Sequence, residues 1–380
     1  MLGLLRMATA TRDDGSSGRP LKVLIVGHGP PTTGGIPTFV SSVVADRWLR
    51  HRVDVAYLNT APRREKRPGA MTMLNLWLTA AHAVQVTRLA RGREIVHLNL
   101  APAPILPLIR AGVLAAAAKA GRARVILHIH TGQLEQSVNS PTYRFLLRIV
   151  RPLVDEFVVV STGTQKALNR AGIRSILVEN GIDVDAFRTG PKADPPGILY
   201  VGTVCERKGL LDLKAALQEL ARNGAPPAPV AIVGDGAQEG PGAFDRIRAE
   251  YVQARLDDVR FLGSVDHARV RELLADAWIF CFPSHWEAFP LALLEAMAAG
   301  TAIVGTAVGD VPRILAHGEA GMLVEPNNPN QLAAALGRLL DDSAERARLG
   351  RAARTRAEQE YRRERMTTSL FDLYREVAER

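Results

Sequence analysis

"WIFCFPSHWEAFPLALLEAMAAGTAIVGTAVG", residues 278–309, reads as a strand, a loop, a helix and a second strand. "WIFCFPS" (278–284) and "TAIVGTAVG" (301–309) are short apolar runs, rich in β-branched or aromatic residues and ended by turn formers. Between them, "PLALLEAMAAG" (290–300) consists of strong helix formers and closes on glycine. Two strands joined by a crossover helix lie parallel in one sheet. Two carboxylates interrupt this apolar unit, Glu287 and Glu295. Pro290 suits the first turn of the helix, where its missing N–H costs nothing. Glu287 therefore belongs to the loop, and Glu295 lies about 7.5 Å beyond Pro290 at 1.5 Å per residue. A glutamate within a core-facing helix must be paired or serve a ligand. A carboxylate accepts two hydrogen bonds and suits vicinal hydroxyls, as acidic residues do on ribose in dinucleotide folds. An exposed helix face is the plainer reading of both residues.

The same alternation extends through most of the chain. "LKVLIVG" (21–27), "VILHIH" (125–130), "EFVVVS" (156–161) and "SILVEN" (175–180) are strand candidates, and "IPTFVSSVVADRWL" (36–49) reads as a helix with Pro37 in its first turn. "RTGPKADPPG" (188–197) gathers prolines, glycines and charges as a linker does. Beyond it, "ILYVG" (198–202), "PVAIVGDG" (229–236) and "VRFLG" (259–263) restart the pattern, separated by helical runs. Strands with crossover helices make doubly wound parallel sheets, so the fold class is α/β with two domains. The expected limits are a disordered tail at 1–20, a first domain at 21–187, the linker, a second domain at 198–360, and a C-terminal helix at 361–380 packing back on the first domain.

The 380 residues contain 48 Lys+Arg against 39 Asp+Glu, a formal charge of +9, and 47% hydrophobic residues. The apolar share suffices for two cores, and the positive charge suits anionic partners: phosphorylated ligands, nucleic acid or an acidic membrane. An arginine-rich genome explains the same charge. Cys205 and Cys281 imply neither a disulfide framework nor a metal set, which fits a reducing, cytoplasmic setting. The N-terminal stretch turns acidic too soon for a secretory signal, and Met1 and Met7 both remain candidate starts. Three prolines and Arg110 break the apolar stretch 95–120, which excludes a spanning helix there.

Four further segments carry chemistry. In "GHGPPTTGGIPTFV" (27–40) a strand runs through a glycine loop into a helix start, an arrangement whose exposed amides form an anion site. Gly34 and Gly35 let backbone approach a ligand there, although the pattern is neither GxGxxG nor a Walker loop and a plain turn explains it too. In "VGTVCERKGLLDL" (201–213), Arg207 and Lys208 follow a strand at the edge where open α/β sheets bind ligands. A planar fork beside a mobile point charge suits a diphosphate, and an exposed basic turn is the alternative. In "HIHTG" (128–132) the alternation of His128 and His130 points them to opposite faces, against shared metal ligation. "GIDVD" (181–185) offers Asp183 and Asp185 as a short, weak metal pattern.

The order of these segments is more specific than any one of them. With "VENGIDVDAF", "IVGDG", "VRFLGSV", "GMLVEP" and the 278–309 unit, the chain resembles retaining glycosyltransferases of family 4 over roughly residues 21–377, most closely in its second half. The resemblance implies a GT-B fold: two Rossmann-like domains whose parallel sheets face a central cleft. It makes Glu287 and Glu295 the ends of an E-x7-E motif. Glu295 would then hold the ribose hydroxyls and Glu287 would face the transferred sugar. Arg207 and Lys208 would bind the diphosphate, supported by the helix start at Phe289, Pro290 and Leu291. Gly34 and Gly35 would close on the phosphates from the first domain, and His130 would contact the sugar. Ala288 and Pro290 depart from the family, which often has glycine there, and Glu179 stands where proline is common.

The reaction so implied moves a sugar from a nucleotide diphosphate, UDP by preference, to an acceptor hydroxyl with retention. Two cations and a helix end would replace a metal, so no cofactor and no essential divalent ion is expected. The expected partners are a nucleotide-sugar donor and a sugar, lipid-linked or small-molecule acceptor. The basic loop "APRREKRPGA" (61–70) can meet an anionic membrane at its inner face or simply be solvated. No nucleic-acid partner is expected, since basic runs lack aromatic platforms. A sugar-nucleotide epimerase on the same fold, a dehydrogenase without GxGxxG, and a non-catalytic carbohydrate- or membrane-binding scaffold are the rivals.

Overall fold

The computed structural model describes residues 19–61, 73–190, 192, 197–225, 228–236, 240 and 242–380. Most of the expected tail and of the 61–70 loop, and half of the linker, lie outside those residues. The chain forms two compact units. One runs to Asn180 and takes back Glu364–Arg380; the other is Gly181–Arg363. Residues 181–187, kept with the first domain in the sequence reading, thus sit in the second unit. They are tied there by backbone bonds from Ile182 N–H to Tyr361 O (2.9 Å) and from Arg363 N–H to Ile182 O (2.8 Å).

The first unit holds six strands: β1 (Leu21–Gly27), β2 (Val53–Asn59), β3 (Ile95–Leu100), β4 (Arg124–Ile129), β5 (Glu156–Val159) and β6 (Ile176–Leu177). Their order is β2-β1-β3-β4-β5-β6, and every pairing is parallel. Side chains alternate across the sheet. Leu24 and Val26 of β1 face a core shared with the helices Met73–Ala90, Ile105–Ala120 and Pro141–Val150. Val23 and Ile25 face the opposite core, where the helix Arg363–Glu379 lays down Met366, Leu370, Leu373, Tyr374 and Val377. That spacing is one helical stripe.

The second unit holds β7 (Ile198–Val201), β8 (Val230–Val233), β9 (Val259–Gly263), β10 (Ile279–Phe282), β11 (Ala302–Thr306) and β12 (Met322–Val324). The order is β12-β11-β10-β7-β8-β9, again parallel throughout. The chain works outward from β7 to β9, then returns so that β10 lies against β7. The strand order reverses between β7 and β10, and ligands of open α/β sheets bind at the carboxyl edge of such a switch point. In the first unit the reversal falls between β1 and β3.

Several expected elements are divided or shortened. The helix expected at 36–49 is two, Gly35–Ala45 and Arg47–Arg52, because Asp46 adopts an extended conformation and its carboxylate caps Leu49 N–H (2.8 Å). The tail breaks at Tyr361 into Ser343–Glu360 and Arg363–Glu379. The apolar stretch 95–120 supplies β3 and the helix Ile105–Ala120, and no helix among the described residues is long and apolar enough to cross a membrane.

Candidate functional site

The site in the second unit begins with two glycines. Gly209 follows the short turn Glu206–Lys208 at φ +69°, and a Cβ there would lie 1.8 Å from Pro283 O. Only glycine combines that backbone conformation with such a contact. It lets the loop after β7 touch the loop after β10, and His285 N–H donates to Arg207 O across the join (2.9 Å). Gly309, at φ +53° after β11, presses on the same place, since its Cβ would fall 2.2 Å from Glu287 O. Three loops thus close around Glu287.

Lys208 Nζ donates to Glu287 Oε1, and Ser284 Oγ donates to the same oxygen at 3.0 Å. The two side chains are only 15% and 11% exposed. An ion pair this shielded is costly to break, because either partner alone is left desolvated and uncompensated. Beside it, His285 Nε2 donates to Asp212 Oδ2 (2.7 Å), and the Arg207 guanidinium lies 5.8 Å from the Trp286 ring centre. The sequence reading put Lys208 and Glu287 in one site; it did not anticipate their direct pairing, nor Ser284 as its third member, nor the His285–Asp212 pair beside it.

The helix after this loop is Leu291–Ala298. Pro290 is its N-cap, extended at φ −80° and ψ 121°, rather than a residue of its first turn as expected. The chain must still leave the loop at that point, so the helix opens one residue later. Phe289 is buried just before it, and no side chain caps the first turn, which begins at Leu291. Uncapped amides and the positive helix end favour an anion. Glu295 lies on the side of this helix facing the earlier helix His267–Asp276, with Oε1 4.0 Å from His267 Nδ1 and 12% exposure. Burial pushes its carboxyl up to about 7, against the pull of Arg271. His267 opens the helix that follows β9, so it too stands at the carboxyl edge of the sheet. The N-cap Asp266 ahead of an apolar helical run was the sequence signal for it.

The first unit places its candidates at its own carboxyl edge. Gly34 caps Gly35–Ala45 at φ 121° and ψ −177°, a conformation for glycine alone, with no side-chain cap. A Cβ on Gly35 would meet nothing within 4 Å. His130 lies one residue past β4, which ends at Ile129. Strand alternation therefore does not extend to it, and the expected opposition of His128 and His130 is overturned: their ring centres are 4.3 Å apart. His130 Nε2 donates to Asn99 Oδ1 (3.0 Å), which leaves Nδ1 as an acceptor. Burial lowers its pKa to about 3, so the ring is neutral. Behind it, His128 Nδ1 meets His97 Nε2 (3.2 Å), and His97 Nδ1 meets the Tyr374 hydroxyl (2.7 Å). No cluster of three metal-ligating side chains occurs among the described residues.

Asp183 and Asp185 are engaged elsewhere. Arg363 bonds the first at 3.0 Å and Arg362 the second at 2.8 Å. Arg362 holds the Asp185 carboxyl below its usual range.

With this geometry in place, comparison with known proteins is specific. Residues 182–356 match the family described as glycosyl transferases group 1, and residues 38–186 match glycosyltransferase family 4. Glycogen synthase of Mycobacterium tuberculosis is 34% identical over 201 residues, 52% of this chain and 47% of the relative. A phosphatidyl-myo-inositol mannosyltransferase of Mycolicibacterium smegmatis is 30% identical over 265 residues, 67% of this chain and 64% of the relative. The matches thus span about half to under two thirds of these relatives' length. Among solved structures, sucrose-phosphate synthase from Thermosynechococcus elongatus superposes with a TM-score of 0.77 at 23% identity, covering 94% of this chain and 99% of its own. Anabaena HepE in complex with UDP-glucose gives 0.72 at 19% identity, covering 93% and 99%. At such identities the structural likeness speaks for the fold. Two adjoining family matches and two parallel six-stranded sheets lead to one conclusion: the chain belongs to glycosyltransferase family 4 and has the GT-B fold.

Proposed function

We propose that the protein transfers a sugar from a nucleoside-diphosphate donor, a UDP-sugar, to an acceptor hydroxyl with retention of anomeric configuration. The observation that carries this reading is the Lys208–Glu287 pair, set at the β7/β10 reversal beside an uncapped helix start. The donor's diphosphate would lie across Arg207, Lys208 and the amides at Phe289 and Leu291, with Pro290 shaping the turn. Its ribose hydroxyls would donate to Glu295. Glu287 would face the sugar. UDP as carrier is supported by HepE, a fold relative solved with UDP-glucose.

In this reading the bond from the anomeric carbon to the diphosphate oxygen breaks, and a bond to the acceptor oxygen forms on the same face. The acceptor's proton leaves with the departing diphosphate. Lys208 and Arg207 neutralise the charge that gathers on that diphosphate, and such preorganised groups contribute about 3–4 kcal/mol each to turnover. The second unit takes the donor, and the first takes a sugar, lipid-linked or small-molecule acceptor. Turnover proceeds without a divalent ion, as the cations already supply the charge.

The test is a thermal-shift screen of nucleotide sugars, followed by incubation of the best binder with and without chelator and NMR of the products. The expected outcome is stabilisation by one nucleotide sugar and slow, chelator-insensitive release of its sugar with the donor's anomeric configuration. Isomerised donor would instead identify an epimerase. Inverted product, or activity lost to chelator and restored by metal, would overturn retention or metal independence respectively.

A further inference from the structure

The outer face of the first unit is formed by three adjacent helices, Met73–Ala90, Ile105–Ala120 and Pro141–Val150, all packed on the same side of the sheet. Their inner faces fill the core with residues such as Val86, Leu114 and Leu147. Their outer faces are not polar, as a solvated layer requires. Trp77 is 66% exposed and Val84 50% on the first helix. Ile109 and Val113 are exposed on the second, and Phe145 (62%) and Ile149 (53%) on the third. With Leu76 (57%), seven large apolar side chains on neighbouring elements mark an interaction surface rather than scatter.

The charge on the same helices is one-sided. They carry Arg88, Arg110, Lys119, Arg144 and Arg148 and not one Asp or Glu. Elsewhere the chain mixes signs freely, with 39 acidic residues against 48 basic overall. Arg110 is used internally, bonding Thr79 Oγ1 (2.9 Å) and His82 Nδ1 (3.1 Å) between the first two helices. Arg144 and Arg148 are exposed and stand next in sequence to Phe145 and Ile149. A helix face of this kind lowers apolar side chains into a lipid interface while the guanidiniums reach phosphates. A second copy of the chain fits poorly, because a symmetric contact would set these cations against each other.

The two exposed aromatic residues, with Leu76 and Ile109, are also placed toward one edge. Leu76 and Trp77, Ile109, and Phe145 fall within the first five residues of their helices. Those helices follow β2, β3 and β4, so their starts lie at the carboxyl edge of the sheet, where His130 and Gly34 also lie. We infer that this three-helix face docks on the surface of an anionic lipid bilayer, with Trp77 and Phe145 inserted and Arg144 and Arg148 on lipid phosphates. Docking there would bring a lipid-borne acceptor to the edge that holds His130. The docking itself does not depend on the proposed transfer.

The test uses the full chain and vesicles of phosphatidylcholine alone or mixed equally with phosphatidylglycerol, read by co-sedimentation. Wild type should bind the mixed vesicles, release as salt rises, and bind pure phosphatidylcholine at least about tenfold more weakly. Trp77→Ser with Phe145→Ser should weaken binding by about tenfold or more. Arg144→Glu with Arg148→Glu should do the same on mixed vesicles, and circular dichroism should show both variants folded. Absence of binding at low salt, or equal binding by wild type and both folded variants, would overturn the inference. So would a concentration-dependent dimer that the same substitutions abolish, which would assign the face to a second copy. Because vesicle binding is read without donor or acceptor, its failure is distinct from failure of the transferase reading.

Discussion

Lys208 Nζ donates to Glu287 Oε1, joining the loop after β7 to the loop after β10 at the point where the strand order of the second sheet reverses. A bound diphosphate would draw Lys208 toward its own oxygens while Glu287 retains Ser284. Lys208→Ala is therefore expected to lower kcat by about 10²–10³ at saturating donor. Unchanged kcat in a folded variant would remove Lys208 from the charge-stabilising role. Thermal melting of the same preparation separates this from the cost of leaving Glu287 unpaired.

Glu295 gives the site a pH dependence. Its carboxyl is raised to about 7 by burial, and only the ionised form accepts two hydroxyl bonds. Donor affinity should therefore rise as pH goes from 6 to 8, and Glu295→Gln should flatten that slope. Stability without donor should run the opposite way. The folded form holds the proton more tightly than the unfolded chain does. The stabilisation is thus fully present below the ordinary glutamate range and is lost as pH rises through about 7. Calorimetric titration and thermal melts across that window measure the two slopes.

Gly209 and Gly172 form a matched pair. Both have positive φ, +69° and +74°, but a Cβ on Gly209 would strike Pro283 O whereas one on Gly172 would meet nothing within 4 Å. Gly172→Ala should cost about 1–2 kcal/mol from backbone strain alone. Gly209→Ala should cost clearly more and also weaken donor binding, because the loops after β7 and β10 must separate. Equal unfolding midpoints in urea for the two variants would show that the loop contact is slack.

The buried run Tyr374–His97–His128 makes the C-terminal helix part of the first unit's core. Tyr374→Phe removes the hydroxyl that meets His97 Nδ1 and leaves a buried nitrogen unpartnered. A loss of about 1–3 kcal/mol in unfolding free energy is expected. A smaller change would mean that water reaches His97.

The α/β class was legible because parallel strands buried on both faces appear as short apolar runs, as "LKVLIVG" and "WIFCFPS" do. Elements without that signature were harder to read. β2 follows directly on the helix ending at Arg52, with no glycine or proline between, and as an edge strand it is half-buried. The break at Asp46 depended on a cap, which looks from the sequence like one more polar helix position. Glu287 and Glu295 could be singled out because charges in apolar surroundings need partners, and Lys208 because it follows a strand at the ligand-binding edge. Which partner each one takes was not written locally: Lys208 and Glu287 are far apart in sequence and meet only because β10 returns to β7. The histidines misled for a related reason, as alternation holds only while the strand lasts and β4 stops at Ile129.

The central claim is that the loops after β7 and β10, with Glu295 behind them, bind a nucleoside-diphosphate donor. Isothermal titration of UDP into wild type, Lys208→Ala and Glu295→Ala at pH 8 addresses it most directly. The expected result is saturable one-to-one binding to wild type and at least about tenfold weaker binding to each folded variant, the loss of one charge-assisted contact apiece. Equal affinity in all three proteins would contradict it.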